Sequence, residues 1–536
     1  MSAMRVRFVG LTWAAALTAF LVPGCGRLTQ TEPTAVHKVD VESHRQQFEA
    51  AIALGDGPGS AGERAAVAYV KNAFSAMGFE TVVQDVPLIS MTTTTSRLRL
   101  NGPKRSYTVD PDGKDYVVWP GRQEPHAAFD KVPVVFAGYG IVAPEFQRND
   151  YKNVDVSGRV VVLLEGTPKA GGREEMGEQG TNYYGRRFYK YAEAGRRGAL
   201  AVLLIHAERE PWAVIQQELG QGIMEVAASA QLVRRSAPAI EGLIRREAAV
   251  MLFGAAGVDL VQAALRANEL AFTPFQIGPL TLDAELVTSL TPKTAHSVFG
   301  VLKGKDQASV LLTSRWNRHE LGAVAQGRIA ARKAGVRGRA RVPVSLQEPE
   351  NGAALILEVA REMVARNRHP QRSMVFGVLT ATVDGVPGLA YYTDHPLLPM
   401  DKLVGHVFLD SGSTPGLLTQ IGKVGLTGDS ALQQFAREAA ILQGRLMVPD
   451  EDPARSFYYR ATQFELLQRA VPSLFLTYSP ENQRRARLRP VEDGRVRELS
   501  SHDAAIGDVR ITADLVERLS GVTLWRPRTQ ARGATP

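Results

Sequence analysis

Cysteine is almost missing from this chain: its 536 residues include one, Cys25. A single cysteine excludes disulfides within the chain and any zinc site built on thiolates. Aromatic residues are scarce, at 7%. No basic stretch is interleaved with them, so the usual footprint of a nucleic-acid binder is absent and no nucleic-acid partner is expected. The apolar run at residues 8–22 reaches roughly 15 residues, where a bilayer span needs about 20. Excess charge is modest too, with a formal net of +8. What is present, 44% hydrophobic and 22% charged residues, describes a globular protein long enough for two or more cores.

The first 24 residues stand apart. Arg5 and Arg7 make a short basic start, residues 8–22 follow, and Val22-Pro23-Gly24-Cys25 closes the segment with small residues. That reads as an export signal. It resembles a bacterial lipoprotein signal, in which the cysteine becomes the lipidated first residue of the mature chain; the other reading is an ordinary signal with a chance cysteine. Residues 25–40 then form a polar tether, and the membrane is the partner, held through a lipid at Cys25. Removing Arg5 and Arg7 from the 63 basic residues leaves 61 against 55 acidic ones, a formal +6. Gly26, rather than aspartate, follows Cys25, and by resemblance to lipoprotein sorting this favours the outer membrane, facing the periplasm.

Further on, residues 63–77 place Ala66, Val67, Val70, Phe74 and Met77 on one helical face. Residues 81–100 read as strands. Short β-runs follow at 132–136 and 160–164, then a helix near 188–197 and the fully apolar strand 199–205. The block 113–285 therefore reads as a separate small domain. From 297 onward apolar runs at 310–313, 374–379, 407–409 and 473–477 alternate with helices at 352–366, 431–442 and 509–519. Such alternation predicts an α/β fold with a mainly parallel sheet and helices on both faces, and places chemistry beyond the carboxyl ends of the strands.

Several motifs support a more specific comparison. In the middle block these are residues 134–144 (Val-Val-Phe-Ala-Gly-Tyr-Gly-Ile-Val-Ala-Pro), Asp150-Tyr151, Asp155-Val156-Ser157-Gly158, and Tyr189-Lys190-Tyr191 before Gly198-Ala199. In the flanking parts they are residues 297–304 (Ser-Val-Phe-Gly-Val-Leu-Lys-Gly), Gly352-Ala353-Ala354, Tyr391-Tyr392 before His395-Pro396, and Ala470-Val471-Pro472-Ser473. With these the chain resembles metallopeptidase family twenty-eight, the di-zinc aminopeptidases related to glutamate carboxypeptidase, in the variety carrying an inserted protease-associated domain. The resemblance implies a zinc-aminopeptidase-like α/β domain at 41–112 and 286–525, interrupted by a β-rich insert at 113–285 and followed by a flexible tail at 526–536.

The same resemblance implies a metal site, and there the sequence departs from the family. The family's His-x-Asp pair falls on Arg315 and Asn317. Its bridging aspartate falls on Gln347, with Glu348 beside it. The Glu-Glu motif, general base and then ligand, falls on Thr382 and Val383. The final histidine falls near Leu488, and only the later aspartate is kept, as Asp410. A guanidinium is always protonated and only donates, so Arg315 cannot ligate a cation. About 4 Å from a divalent ion it would repel it by roughly 8 kcal/mol at an effective dielectric of 20. Good structural zinc sites supply only about 10–16 kcal/mol.

Other catalytic patterns are also incomplete. His319-Glu320 begins like His-Glu-x-x-His, but Ala323 stands where the second histidine is required. Ser411 lacks the Gly-x-Ser-x-Gly elbow. Gly55-x-Gly57-x-Gly59 does not match the dinucleotide fingerprint, and a turn accounts for it. A relocated single-metal site from His319, Glu348, Asp384 and Asp410 would restore zinc; surface or core roles for these four are the competing reading.

Arg315 raises a sharper possibility: its guanidinium occupies the place of the lost cation and pairs with Asp410, and with Glu348 beside it, neutralising an otherwise uncompensated carboxylate. Against it stands an Arg315 that points to solvent. Residues 315–341 carry Arg315, Arg318, Arg328, Arg332, Lys333, Arg337, Arg339 and Arg341 against the single acid Glu320, and Arg484, Arg485, Arg487 and Arg489 form a second cluster. If both rim the old cleft, it suits an anionic envelope component or a peptide carboxylate; a solvated basic loop is the bland alternative. The expectation is a pseudoenzyme: an envelope lipoprotein with a peptidase-like fold, no cofactor, and a binding or scaffolding role. The runner-up is an active zinc metallo-aminopeptidase with displaced ligands.

Overall fold

Two long antiparallel strands organise the molecule. Glu80–Asn101 runs beside Phe275–Leu302, with Glu80 opposite Val301, Asn101 opposite Thr281, and a bulge between Thr93 and Thr95. Leu280, Leu282, Ala284 and Leu286 are buried at a spacing of two, the mark of a strand with one face inward. The second strand pairs at its carboxyl end with Ser373–Leu379, Val298 opposite Val378, and at its amino end with His126–Phe136, Phe275 opposite Phe136. It thereby carries a single 15-stranded sheet through two groups of cores. The expected boundary between residues 285 and 286 lies inside this strand.

The computed structural model describes residues 39–55, 57–102, 106–109, 114–170, 173–174, 176, 183–208, 211–220, 222–227, 236–316, 352–366, 369–381, 386–409, 420–424, 431–443, 445–448, 466, 469–477 and 501–521. Among these, no single helix is long and apolar enough to cross a membrane.

On one side of the ribbon the strand order is Leu446–Val448, Gln420–Val424, Ser473–Thr477, Leu403–Leu409, Ser309–Arg315 and Ser373–Leu379. The last four are mutually parallel. Every residue of Ser309–Arg315, Ser373–Leu379 and Leu403–Leu409 is buried, which requires cover on both faces. One face carries the helices Val41–Ala53, Ala61–Ala76, Gly352–Arg366, Ala431–Leu442 and Ser501–Ser520, sharing a core that includes Phe48, Phe74, Ile356, Ala436 and Leu515. Leu389 and Tyr392 of the helix Pro387–Asp394 close the other, against Phe299, Leu311 and Val375. The expected α/β architecture, with helices on both faces of a mainly parallel sheet, is present.

Local chemistry sets the helix positions. Ser60 caps Ala61–Ala76 by accepting from Glu63 N at 3.0 Å, and the fully buried Glu63 accepts from Gly59 N at 2.7 Å and from His296 N at 2.9 Å. One carboxylate thus satisfies a helix start and pins it to the long strand. Glu358, buried in Gly352–Arg366, receives His44 Nε2 at 2.8 Å and lies 3.3 Å from Arg361, while His44 Nδ1 lies 2.5 Å from Tyr69 Oη.

Beyond the ribbon, His126–Phe136, Val160–Leu164, Ala201–Ile205 and Ile240–Ile244 are parallel neighbours in that order, closed by the antiparallel Tyr116–Pro120. Helices Arg246–Ala255 and Leu260–Ala267 cover one face, and Arg187–Arg196 with Trp212–Leu219 the other.

The ribbon meets the helices at a close contact: a Cβ on Gly300 would lie 2.7 Å from Phe74 Cγ. Phe74→Ala should cost about 3–5 kcal/mol through the cavity it leaves. Gly300→Ala should destabilise the native chain but cost less in the Phe74→Ala background. Denaturant midpoints of the two single variants and the double variant measure this; strict additivity would contradict the contact.

Candidate functional site at the carboxyl ends of the parallel strands

The topology selects one crevice. From Ser309–Arg315 the chain passes to its neighbour on one side, Ser373–Leu379, then crosses to its neighbour on the other, Leu403–Leu409, and continues outward to Gln420–Val424 and Leu446–Val448 before returning to Ser473–Thr477 beside Leu403–Leu409. The connections leaving Ser309–Arg315 and Leu403–Leu409 therefore diverge, and their carboxyl ends form the switch point at which such sheets bind ligands. Arg315 ends one of these strands and Leu409 the other.

Arg315 is 4% exposed and engaged with its surroundings, so the solvent-facing alternative does not hold. Its strand is held in register, with Arg315 opposite Leu379 and Trp316 N donating to Leu379 O at 3.4 Å. Trp316 and Thr380 are buried beside it, and among the described residues neither Trp316 Nε1 nor Thr380 Oγ1 has a hydrogen-bond partner. Thr380 N donates to Ser297 Oγ at 3.2 Å, fixing the start of the next connection.

One layer below, Thr313 Oγ1 and His406 Nε2 are 2.8 Å apart between neighbouring strands, both fully buried. Among the described residues His406 Nδ1 has no partner, and burial pushes the imidazole down to about 3. The histidine is therefore neutral at physiological pH.

Of the positions singled out in the sequence, the structure describes Arg315. Asn317, His319, Gln347, Glu348, Thr382, Val383, Asp384, Asp410, Leu488 and Cys25 lie outside the described residues, as do Arg318–Arg341 and Arg484–Arg489. Sequence reasoning passed over Trp316, Thr380 and His406. It also passed over a second set of strand-end residues, Glu165 and His206, each the first polar residue after an all-apolar strand.

A di-zinc centre needs deprotonated oxygen and nitrogen donors at these strand ends. Arg315 offers a permanent cation there, in a water-excluded position where repulsion of a metal is least screened. Arg315 itself therefore cannot serve as one of those donors. Among the described residues, no set of three or more His, Cys, Asp or Glu side chains could hold a metal ion.

Comparison with known proteins agrees on the fold. The sequence profile of Peptidase family M28 matches residues 351–490, and no curated protein matches the chain by sequence. Among solved structures, the aminopeptidase from Aneurinibacillus sp. strain AM-1 superimposes with a TM-score of 0.50 at 13% identity, covering 90% of this chain and 95% of that one. A Peptidase M28 precursor from Shewanella amazonensis SB2B (TM-score 0.41, 13% identity, 93% and 97% covered) and BSAP, a zinc aminopeptidase from Bacillus subtilis (0.41, 14%, 88% and 95%), are also similar. The chain resembles the M28 metallopeptidases and has an aminopeptidase-like fold.

His406 gives a pH test. Its unfolded form takes a proton below about 6.5 whereas the folded form does so only near 3. The unfolded state therefore binds more protons in that window, and stability falls as pH drops through it, by up to about 1.4 kcal/mol per unit. His406→Gln should flatten this part of the stability profile measured by denaturant titration between pH 7 and 4; an unchanged slope would contradict a neutral buried histidine.

Proposed function

We propose that the protein is a cell-envelope lipoprotein whose peptidase-like domain binds or scaffolds rather than hydrolyses. The observation that carries this reading is Arg315: a buried cation stands at the switch point, where the resemblance calls for a zinc ligand. In this reading the guanidinium takes the cation's place facing Asp410, and the chain is a pseudoenzyme without a metal cofactor. The segments containing Arg337 and Arg485 then give the crevice a positive rim for an anionic envelope component or a peptide carboxylate. The anchor is a lipid at Cys25, on the periplasmic side of the outer membrane, and residues 113–285 act as an inserted protease-associated domain.

A second reading draws support from the M28 profile match over residues 351–490. It is an active metallo-aminopeptidase, exopeptidase in mode, that uses His319, Glu348, Asp384 and Asp410 as displaced zinc ligands.

Metal content separates the two. Purified chain equilibrated with zinc and then desalted should retain well under one zinc per chain by elemental analysis, and should not hydrolyse leucine p-nitroanilide. Near-stoichiometric zinc with chelator-sensitive hydrolysis would favour the second reading. Fractionation tests the anchor and the rim: Cys25→Ser should move the protein from membranes to the soluble fraction, and Arg337→Ala with Arg485→Ala should weaken retention on a polyanion column. An unchanged distribution or an unchanged elution salt would count against the respective part.

A further inference from the structure

A second crevice lies at the far side of the ribbon, and its construction repeats the strand-end logic. The four parallel strands His126–Phe136, Val160–Leu164, Ala201–Ile205 and Ile240–Ile244 are each followed by a residue that lines one pocket: Tyr139, Glu165, His206 and Arg246 respectively. The pocket has a volume of about 310 Å³. That is near the lower bound of ligand pockets, about 300 Å³, and suits a ligand the size of one or two amino-acid residues.

Its polar floor is built rather than incidental. Glu165 Oε1 receives Arg187 Nε at 2.5 Å, and Glu165 Oε2 receives Ala207 N at 2.8 Å and lies 3.0 Å from His206 Nδ1. Burial alone would raise the Glu165 carboxyl, but the Arg187 guanidinium, the His206 ring and the Ala207 N–H together hold it at about 2. The carboxylate is thus ionised and fully engaged. It orients His206, which is 4% exposed and packs against Trp212 with ring centroids 5.5 Å apart. Because an ionised carboxylate accepts only, His206 Nδ1 carries the proton.

The mouth has a different character. Arg246 is exposed and lines the pocket, with Lys169 also on its wall, so with Glu165 neutralised by Arg187 the excess charge is positive. The same pocket is lined by Val261 and Leu265, one turn apart on Leu260–Ala267, 48% and 56% exposed. Two aliphatic side chains and a cationic side chain lining so small a volume select one chemistry.

We propose that this pocket binds a small carboxylate bearing an aliphatic side chain, with Arg246 taking the carboxylate and Val261 with Leu265 packing the aliphatic group. The site is separate from the crevice at Arg315, and its occupation does not depend on whether that crevice is catalytic. The same chemistry is offered by a free acylated amino acid and by the carboxyl end of a peptide.

The test is calorimetric titration of the full chain with N-acetyl-L-leucine, its carboxylate-free amide, and the tripeptide Ala-Ala-Leu. N-acetyl-L-leucine should bind saturably at one site. Loss of the carboxylate, Arg246→Gln, or Leu265→Ser should each weaken binding about tenfold or more, the range for losing a charge-assisted hydrogen bond or an apolar contact. Both substituted side chains are exposed, so the unfolding midpoints should match the parent and show that the variants fold. A tripeptide that binds at least as tightly identifies a peptide end as the source, and a weaker one identifies the free acid; either outcome supports the shared chemistry. Absence of saturable binding by both N-acetyl-L-leucine and the tripeptide, or binding unchanged in both variants, overturns the proposal.

Discussion

A guanidinium does not shed its proton within the range a protein survives, and that constrains the whole carboxyl end of the central sheet. Ser309–Arg315 is buried along its full length between two helical layers, so Arg315 cannot hand its charge to bulk water. A buried cation of this kind persists only where anions or dipoles compensate it. The surrounding architecture supplies a reason for its position. The two faces of the parallel strands are taken up by Val310, Leu312, Val375, Phe376 and Val407, leaving the strand ends as the place where polar chemistry can be presented. There the chain presents the donor-only Arg315, and among the described residues Trp316 Nε1 and Thr380 Oγ1 beside it have no hydrogen-bond partner.

The same constraint operates twice in this molecule. Val160–Leu164 and Ala201–Ile205 are also fully apolar parallel strands, and Glu165 and His206 are the first polar residues beyond them. One set of ends presents the buried cation of Arg315, while the other forms an ionised, fully engaged floor of Glu165 and His206.

Much of the fold is legible in the sequence because burial and periodicity coincide there. Residues 352–366, 431–442, 160–164 and 473–477 read as the elements they form, with the same bounds. Their apolar spacing is dictated by sheets and helices covered on both sides. Phe275–Leu302 was not legible as one strand. Gly278, Pro279 and Pro292 punctuate it as turns would, and its identity depends on Glu80–Asn101, a partner far away in sequence. Helix Ser501–Ser520 starts well before the apolar stretch at 509, since its first turns carry polar residues. At the site, motif position singled out Arg315, but its burial was not legible, because an arginine after a strand is as compatible with solvent as with a crevice. Glu165 and His206 escaped notice because neither belongs to a motif; only parallel pairing brings them side by side.

The proposed pseudoenzyme requires a side chain, not a metal, at the switch point between Arg315 and Leu409. Crystals of the mature chain grown with zinc and measured at the zinc absorption edge report this. No anomalous peak is expected at these strand ends, and the Arg315 guanidinium should be directed at the Asp410 carboxylate. Two peaks about 3.5–4 Å apart, the spacing of a two-metal centre, or one peak ligated by Asp410, would contradict it.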